Sequence, residues 1–167
     1  NKQDGTEVRK TDDAIQFNST YGFRKDTLSN WYYSAKFNFN TQFTNGYNYP
    51  NRDIAISKPF APAYIFLGAG AENSNKQKNR TFYFSPITLK TTLVLDQYLA
   101  NQGSFGVKKA VYAPDPLDPN NQILIEEGQK VKAEFGILFT GYMKSEIYKN
   151  VFYENRLSLY TDYLNRF

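Results

Sequence analysis

The chain contains no cysteine and no histidine among its 167 residues. Without cysteine it can form neither a disulfide nor a catalytic thiolate. Without histidine it cannot build a Ser-His or Cys-His pair, or a metal site with histidine ligands. It also lacks the run of about 18 apolar residues that a membrane-spanning helix needs. These absences exclude the commonest hydrolase and zinc chemistries from this stretch of sequence.

Charge is modest as well, with 20 Lys and Arg against 16 Asp and Glu for a net charge of +4. The basic residues are scattered along the sequence, so a nucleic-acid partner is not predicted. Mean hydropathy is only −0.62, yet 17% of the residues are aromatic, with 14 Tyr and 14 Phe. A soluble domain usually uses Leu, Ile and Val as much as rings. High polarity with many rings is instead typical of a transmembrane β-barrel.

The clearest pattern lies in residues 31–44, where side-chain character changes at every position. Successive side chains of a β-strand point to opposite faces, so this segment predicts a strand with one apolar and one polar face. The odd positions are Trp31, Tyr33, Ala35, Phe37, Phe39, Thr41 and Phe43, and the even positions are Tyr32, Ser34, Lys36, Asn38, Asn40, Gln42 and Thr44. Such a strand lies between water and an apolar phase, which is either a protein core or a lipid bilayer.

Similar patterns predict six strands within a single β-barrel segment spanning residues 1–167. The predicted strands cover about 14–23, 31–44, 63–71, 81–94, 131–143 and 151–163. In the fourth strand the apolar register changes at Ser85-Pro86, which predicts a β-bulge. Short turns alternate with long loops at about 45–62 and 95–129. Outer-membrane barrels have short periplasmic turns and longer outer loops, so this alternation predicts their topology. Closing a membrane barrel takes about eight strands, so we expect the chain to be an internal piece of a larger barrel.

Short motifs follow one another in a characteristic order through residues 14–163. They include Tyr21-Gly22-Phe23, Trp31-Tyr32-Tyr33, Ala61-Pro62-Ala63-Tyr64, Phe84-Ser85-Pro86-Ile87-Thr88, Asp96-Gln97-Tyr98-Leu99-Ala100 and Leu157-Ser158-Leu159-Tyr160-Thr161-Asp162-Tyr163. In order and spacing this set resembles an uncharacterised family of Bacteroidota outer-membrane β-barrels, known only as a domain of unknown function. The resemblance implies an outer-membrane barrel that is longer at both ends than this chain. It supplies no active site to transfer.

The strand faces predict two sets of functional residues. The set predicted to face a barrel lumen is Lys36, Asn38, Asn40, Gln42, Lys132, Glu134, Glu154, Arg156 and Asp162. The set predicted to face lipid is Trp31, Tyr33, Phe37, Phe39, Phe43, Phe135, Ile137, Leu157 and Leu159. Two alternatives remain for the polar set: it lines a water-filled channel, or it fills the interior of a closed barrel. Both require the same alternation of polar and apolar residues.

The sequence thus predicts an all-β fold, an antiparallel transmembrane barrel in the outer membrane of a Gram-negative, Bacteroidota-like bacterium. We expect a non-enzymatic channel, scaffold or subunit of an envelope complex, with outer-membrane lipid and other envelope proteins as partners and no nucleic acid. No catalytic, cofactor or metal site is predicted. Asp115 and Asp118 offer oxygen ligands for Ca²⁺, but their spacing lacks the EF-hand pattern. The alternative is a soluble β-sandwich or ligand-binding barrel, in which Phe37, Phe39 and Phe135 would meet across a core.

Overall fold

The fold is built almost entirely from β-strands, as seen in a computed structural model that describes residues 13–48, 50–51, 53–118 and 121–163. The strands are β1 (Ile15–Phe23), β2 (Trp31–Thr41), β3 (Gly46–Tyr47), β4 (Ala55–Ser57), β5 (Ala63–Asn75), β6 (Arg80–Leu93), β7 (Val111–Pro114), β8 (Gln122–Glu126), β9 (Val131–Tyr148) and β10 (Val151–Asp162). One short helix, α1 (Gln97–Asn101), precedes a 3₁₀ turn at Ser104–Gly106. The predicted all-β, antiparallel class is confirmed.

Six of the strands form one sheet in the order β1-β2-β5-β6-β9-β10. Among the described residues, β1 and β10 are the two ends of this sheet. The segments predicted as long loops are not plain loops, because each contains a two-stranded sheet, β3-β4 in one and β7-β8 in the other. In the part of the chain that is described, no helix has both the length and the apolar character needed to cross a bilayer.

The chain divides into two compact units. Unit 1 takes its residues from 13–16, 39–64 and 92–132, and unit 2 from 17–38, 65–91 and 133–163. Unit 1 contains the two small sheets and the helix, together with a hydrophobic cluster of Ala61, Val94, Leu99, Ala100 and Val107. Unit 2 contains most of the six-stranded sheet. The prediction that residues 1–167 form a single barrel segment stays a prediction.

Helix α1 of unit 1 begins at Gln97 because Asp96 caps it. The Asp96 carboxylate accepts the backbone N–H of Leu99 at 3.1 Å and forms an ion pair with Lys58 Nζ at 2.7 Å. Burial raises the pKa of Asp96, but the hydrogen bond from Lys58, the N–H of Leu99 and the Lys58 charge together hold it below its usual value. The capped turn then places Leu99 and Ala100 in the hydrophobic cluster.

Strand β2 ends at Thr41, earlier than the predicted end at residue 44. The carboxylate of Asp13 accepts the N–H groups of Phe43 at 2.9 Å and Thr44 at 2.7 Å, so these donors are not available to a neighbouring strand. Thr41 itself lies at an odd-numbered position, on the face predicted to be mostly apolar. Its side chain is buried, and its hydroxyl donates to the Pro62 carbonyl at 3.0 Å.

Strands β5 and β9 are longer than predicted. The sequence from Glu72 onward is polar and was interpreted as a turn, but β5 continues to Asn75. Strand β9 likewise continues to Tyr148, because its pairing with β10 persists up to Tyr148 opposite Val151. Asn150 closes this hairpin at a φ of 64°, a left-handed conformation that Asn tolerates better than most residues. Hairpin pairing therefore overrides local polarity at both turns.

The register change expected in β6 occurs where it was predicted. Tyr83 and Ser85 are buried, Pro86 and Ile87 are both exposed, and the next buried position is Thr88. The Thr88 hydroxyl donates to Ser85 Oγ at 2.8 Å, and that oxygen lies 2.8 Å from the Ile87 carbonyl oxygen. Side-chain hydroxyl groups thus form hydrogen bonds with each other and with backbone carbonyl groups where the strand pairing is irregular. Buried backbone groups at such a position need hydrogen-bond partners of this kind.

Candidate functional site

The strands of unit 2 bury a face that is mostly polar or made of small residues. The buried residues of these strands are Ser34, Gly68, Tyr83, Ser85, Thr88, Gly136 and Leu138. A soluble sheet normally turns its apolar face inward and its polar face to water. In unit 2 the more buried face carries the hydroxyl groups and the charges.

At the centre of this polar face is an ion pair next to a buried ring. Lys36 Nζ of β2 lies 2.7 Å from Glu72 Oε2 of β5, with side chains 25% and 19% exposed. The same Nζ lies 4.0 Å from the ring centroid of Tyr83 on β6, within cation–π range. Tyr83 fits because Gly68 has no side chain, since an added Cβ there would lie 2.9 Å from the Tyr83 hydroxyl. Three strands are therefore joined by polar contacts across one face.

Further polar contacts lie on β6, β9 and β10. Lys90 Nζ is 3.4 Å from the ring centroid of Tyr160. Arg156 Nη2 is 2.9 Å from Glu154 Oε1, and Lys144 Nζ is 3.8 Å from the other oxygen of the same carboxylate. The two ion pairs of Glu154 are more exposed than the Lys36 ion pair, so each stabilises the fold only weakly.

The residues predicted to face a lumen are divided between the two units. Those that are half-buried are Lys36, Asn38, Gln42, Lys132, Glu134 and Asp162, and those that are exposed are Asn40, Glu154 and Arg156. Asn38 Nδ2 donates to Asn18 Oδ1 at 2.6 Å within unit 2. Gln42 instead belongs to unit 1, where its Nε2 donates to the Lys58 carbonyl at 3.1 Å.

Sequence reasoning missed four members of the polar face: Glu72, Tyr83, Lys90 and Tyr160. Glu72 was assigned to a turn, and Tyr83 lies between two phenylalanines that dominate the local pattern. The available signal was register, because Tyr83 alternates with Phe82 and Phe84 just as Lys36 alternates with the apolar residues on either side of it.

The residues predicted to face lipid are exposed or half-buried. The exposed members are Trp31, Tyr33, Phe43, Leu157 and Leu159, and the half-buried members are Phe37, Phe39, Phe135 and Ile137. Phe37 packs against Phe17 of β1, with ring centroids 5.9 Å apart, and Phe135 packs against Tyr163 at 5.7 Å. The first contact joins two neighbouring strands of one sheet, and Tyr163 directly follows β10 of the same sheet.

The balance of buried and exposed apolar side chains is the reverse of a soluble core. Among the described residues, ten hydrophobic residues are buried, and five of these are alanines. Thirty-three large hydrophobic side chains are exposed in the same part of the chain. Single exposed apolar residues are ordinary, but an apolar surface of this extent indicates a further apolar environment.

The described residues contain no group of three or more His, Cys, Asp or Glu side chains placed to hold a metal ion.

Comparison with known proteins gives one family match. A family model described as "Protein of unknown function (DUF3078)" matches residues 1–47. The predicted resemblance to a domain of unknown function is confirmed to that extent. The match includes β1 and β2 and covers under a third of the chain. The comparisons with curated proteins and with solved structures gave no match.

Proposed function

We propose that this chain is a segment of an outer-membrane β-barrel in a Gram-negative, Bacteroidota-like bacterium. On this proposal it is non-enzymatic and acts as a channel, a scaffold or a subunit of an envelope complex. The observation that supports the proposal is the inverted burial of unit 2, whose strands bury polar side chains and expose apolar ones.

The energetic argument starts from the exposed face. Removing apolar surface from water stabilises a protein by about 25 cal/mol per Å², or about 1.5–3 kcal/mol for each large side chain. Tyr33, Phe84, Ile87, Leu157 and Leu159 all forgo this stabilisation while exposed. A lipid bilayer supplies the missing apolar phase, and it needs no second protein layer.

The polar face agrees with the same proposal. A barrel interior is polar, and buried polar groups must find partners there. Lys36 pairs its charge with Glu72 and lies over the ring of Tyr83, so these groups contact one another between neighbouring strands without contributions from a packed apolar core. Exposed rings beside the short turns, such as Phe23, Trp31 and Phe152, suit the aromatic belt of a membrane interface.

Membrane fractionation with two arginine variants tests the proposal. Phe37→Arg places a charge on the apolar face, and Asn40→Arg places the same charge at an exposed position on the polar face of the same strand. We expect the unchanged protein and Asn40→Arg in the outer-membrane fraction, resistant to carbonate extraction. We expect Phe37→Arg to be lost from that fraction. Recovery of the unchanged protein in the soluble fraction without detergent would contradict the proposal and favour the soluble β-sandwich.

A further inference from the structure

The short turns of unit 2 concentrate positive charge. We define the basic rim as residues 24–30, 76–80 and 144–150, which join or end the strands of the three hairpins β1-β2, β5-β6 and β9-β10. Its seven basic residues are Arg24, Lys25, Lys76, Lys78, Arg80, Lys144 and Lys149, and its two acidic residues are Asp26 and Glu146. The rim thus carries a larger positive charge than the +4 of the whole chain.

These three turns are distant in sequence but adjacent in unit 2. The Ser74 N–H donates to the Asn30 carbonyl at 2.9 Å, which joins the first turn to the end of β5, beside the second turn. The Lys144 N–H donates to the Asn79 carbonyl at 2.9 Å, which joins the second to the third. Gln77 lines both the pocket beside Arg24 and the pocket beside Lys144. The rim is therefore one continuous surface.

Most of the rim's cations are not neutralised by nearby carboxylates. Within the described ranges, no carboxylate forms a salt bridge with any of Arg24, Lys25, Lys76, Lys78 and Lys149.

The two acidic residues of the rim are engaged with the backbone. Asp26 Oδ1 accepts the N–H of Leu28 at 2.9 Å, and Glu146 Oε1 accepts the N–H of Asn150 at 2.8 Å. Their hydrogen bonds hold the turns in shape, and the excess of seven basic over two acidic residues keeps the field outside the rim positive.

Exposed rings adjoin the rim at the ends of the strands. Phe23 precedes the first turn and Trp31 follows it, while Tyr148 lies within the third segment and Phe152 follows that segment. Cations next to amphipathic rings, with an apolar face beyond them, match the chemical order of a membrane from headgroup to acyl chain. The long connections differ, since residues 45–62 and 95–129 contain four basic and six acidic residues.

We propose that the basic rim binds the phosphate headgroups of an anionic phospholipid leaflet. This inference rests on the proposed membrane function and goes beyond it by assigning the lipid class and the surface that selects it. A nucleic acid would satisfy the charge but not the adjoining apolar face. Each basic residue close to an anionic surface adds attraction, so we expect at least roughly twofold enrichment of anionic lipid at the rim.

The chain provides its own reporter for the test. Trp31 is the only tryptophan, it is 59% exposed, and it begins β2 directly after the first turn of the rim. The protein is reconstituted into phosphatidylcholine vesicles that contain a minority of phosphatidylglycerol. Bromine on the upper acyl chain is placed first on one lipid and then, at the same mole fraction, on the other. Bromine quenches tryptophan only at contact, so the ratio of the two quenching values measures local lipid enrichment.

The rim variant combines Lys25→Gln, Lys76→Gln and Lys78→Gln. Its matched control removes the same charge from unit 1 through Lys108→Gln, Lys109→Gln and Lys130→Gln. We expect brominated phosphatidylglycerol to quench the unchanged protein and the control at least about twofold more than brominated phosphatidylcholine. We expect no such preference in the rim variant, or at about 1 M salt, where screening shortens electrostatic reach to about 3 Å.

Other outcomes separate this inference from the proposed function. Equal quenching of the unchanged protein by both lipids overturns the inference alone, because Trp31 then contacts lipid without selecting it. A preference that persists in the rim variant overturns the assignment to these lysines. Absence of quenching by either lipid overturns both proposals. Quenching of the rim variant by brominated phosphatidylcholine verifies that this variant still inserts.

Discussion

Leu157→Arg and Ser158→Arg place the same charge at neighbouring positions in the middle of β10. Both residues are exposed, and they pair with Gly141 and Thr140 of β9. In water the two variants should behave alike, each changing the free energy of unfolding by less than about 0.5 kcal/mol. In lipid they differ, because successive side chains of a strand point to opposite faces.

The expected difference is large enough to measure. An arginine on the lipid face costs about 2–4 kcal/mol near the bilayer midplane, and little on the lumen side. Since each 1.4 kcal/mol is about a tenfold change in equilibrium constant, Leu157→Arg should lower the folded-to-unfolded ratio by roughly 30- to 700-fold. Ser158→Arg should stay close to the unchanged protein.

Urea unfolding in lipid vesicles, followed by Trp31 fluorescence, measures both variants under one condition. The same titration without lipid provides the reference in water. If Leu157→Arg and Ser158→Arg shifted the unfolding midpoint equally in vesicles, the reasoning about the two faces would be refuted. A larger loss for Ser158→Arg would reverse the assignment of the faces.

Three further predictions concern the fold itself. Asp96→Ala should destabilise unit 1 by about 1 kcal/mol through loss of the helix cap. Because the folded-state pKa of Asp96 is lowered, the stability that Asp96 contributes is present above its ordinary pKa of 3.8 and is lost as the pH falls below that value. Thermal unfolding at several pH values should show this dependence in the unchanged protein and not in the variant. Gly70→Ala should cost roughly 1–3 kcal/mol in urea unfolding because its Cβ would collide with a neighbouring strand, whereas Gly22→Ala, with 3.9 Å of room, should cost less. A double-mutant cycle with Lys36→Met and Glu72→Gln should give a coupling of about 1 kcal/mol, since the pair is only partly exposed, and a coupling of zero would count against its role in the polar face.

The strands were readable from the sequence because period-two alternation is a local property. The positions of β1, β2 and β6 follow from it, and so does the register change after Ser85. The ends of the strands were harder to predict from the sequence. Asp13 stops β2 from a site about 30 residues away, and pairing with β10 extends β9 through a polar sequence.

The candidate site was only partly predictable for the same reason. Lys36 was assigned to the polar face from its own strand. Its partners Glu72 and Tyr83 lie on β5 and β6, so they become neighbours only after the strands pair. No pattern within one segment contains that information.

Local sequence is enough to give strands such as β2 and β10 one polar and one apolar face, because side-chain direction in a strand depends only on position along the chain. Which face is more buried depends on how the strands pair and pack. Only the tertiary structure decided that basic residues from Arg24 to Lys149, scattered along the sequence, meet on one rim. The physical reason is antiparallel pairing, which brings the turns of successive hairpins to the same end of the sheet whatever their separation in the chain.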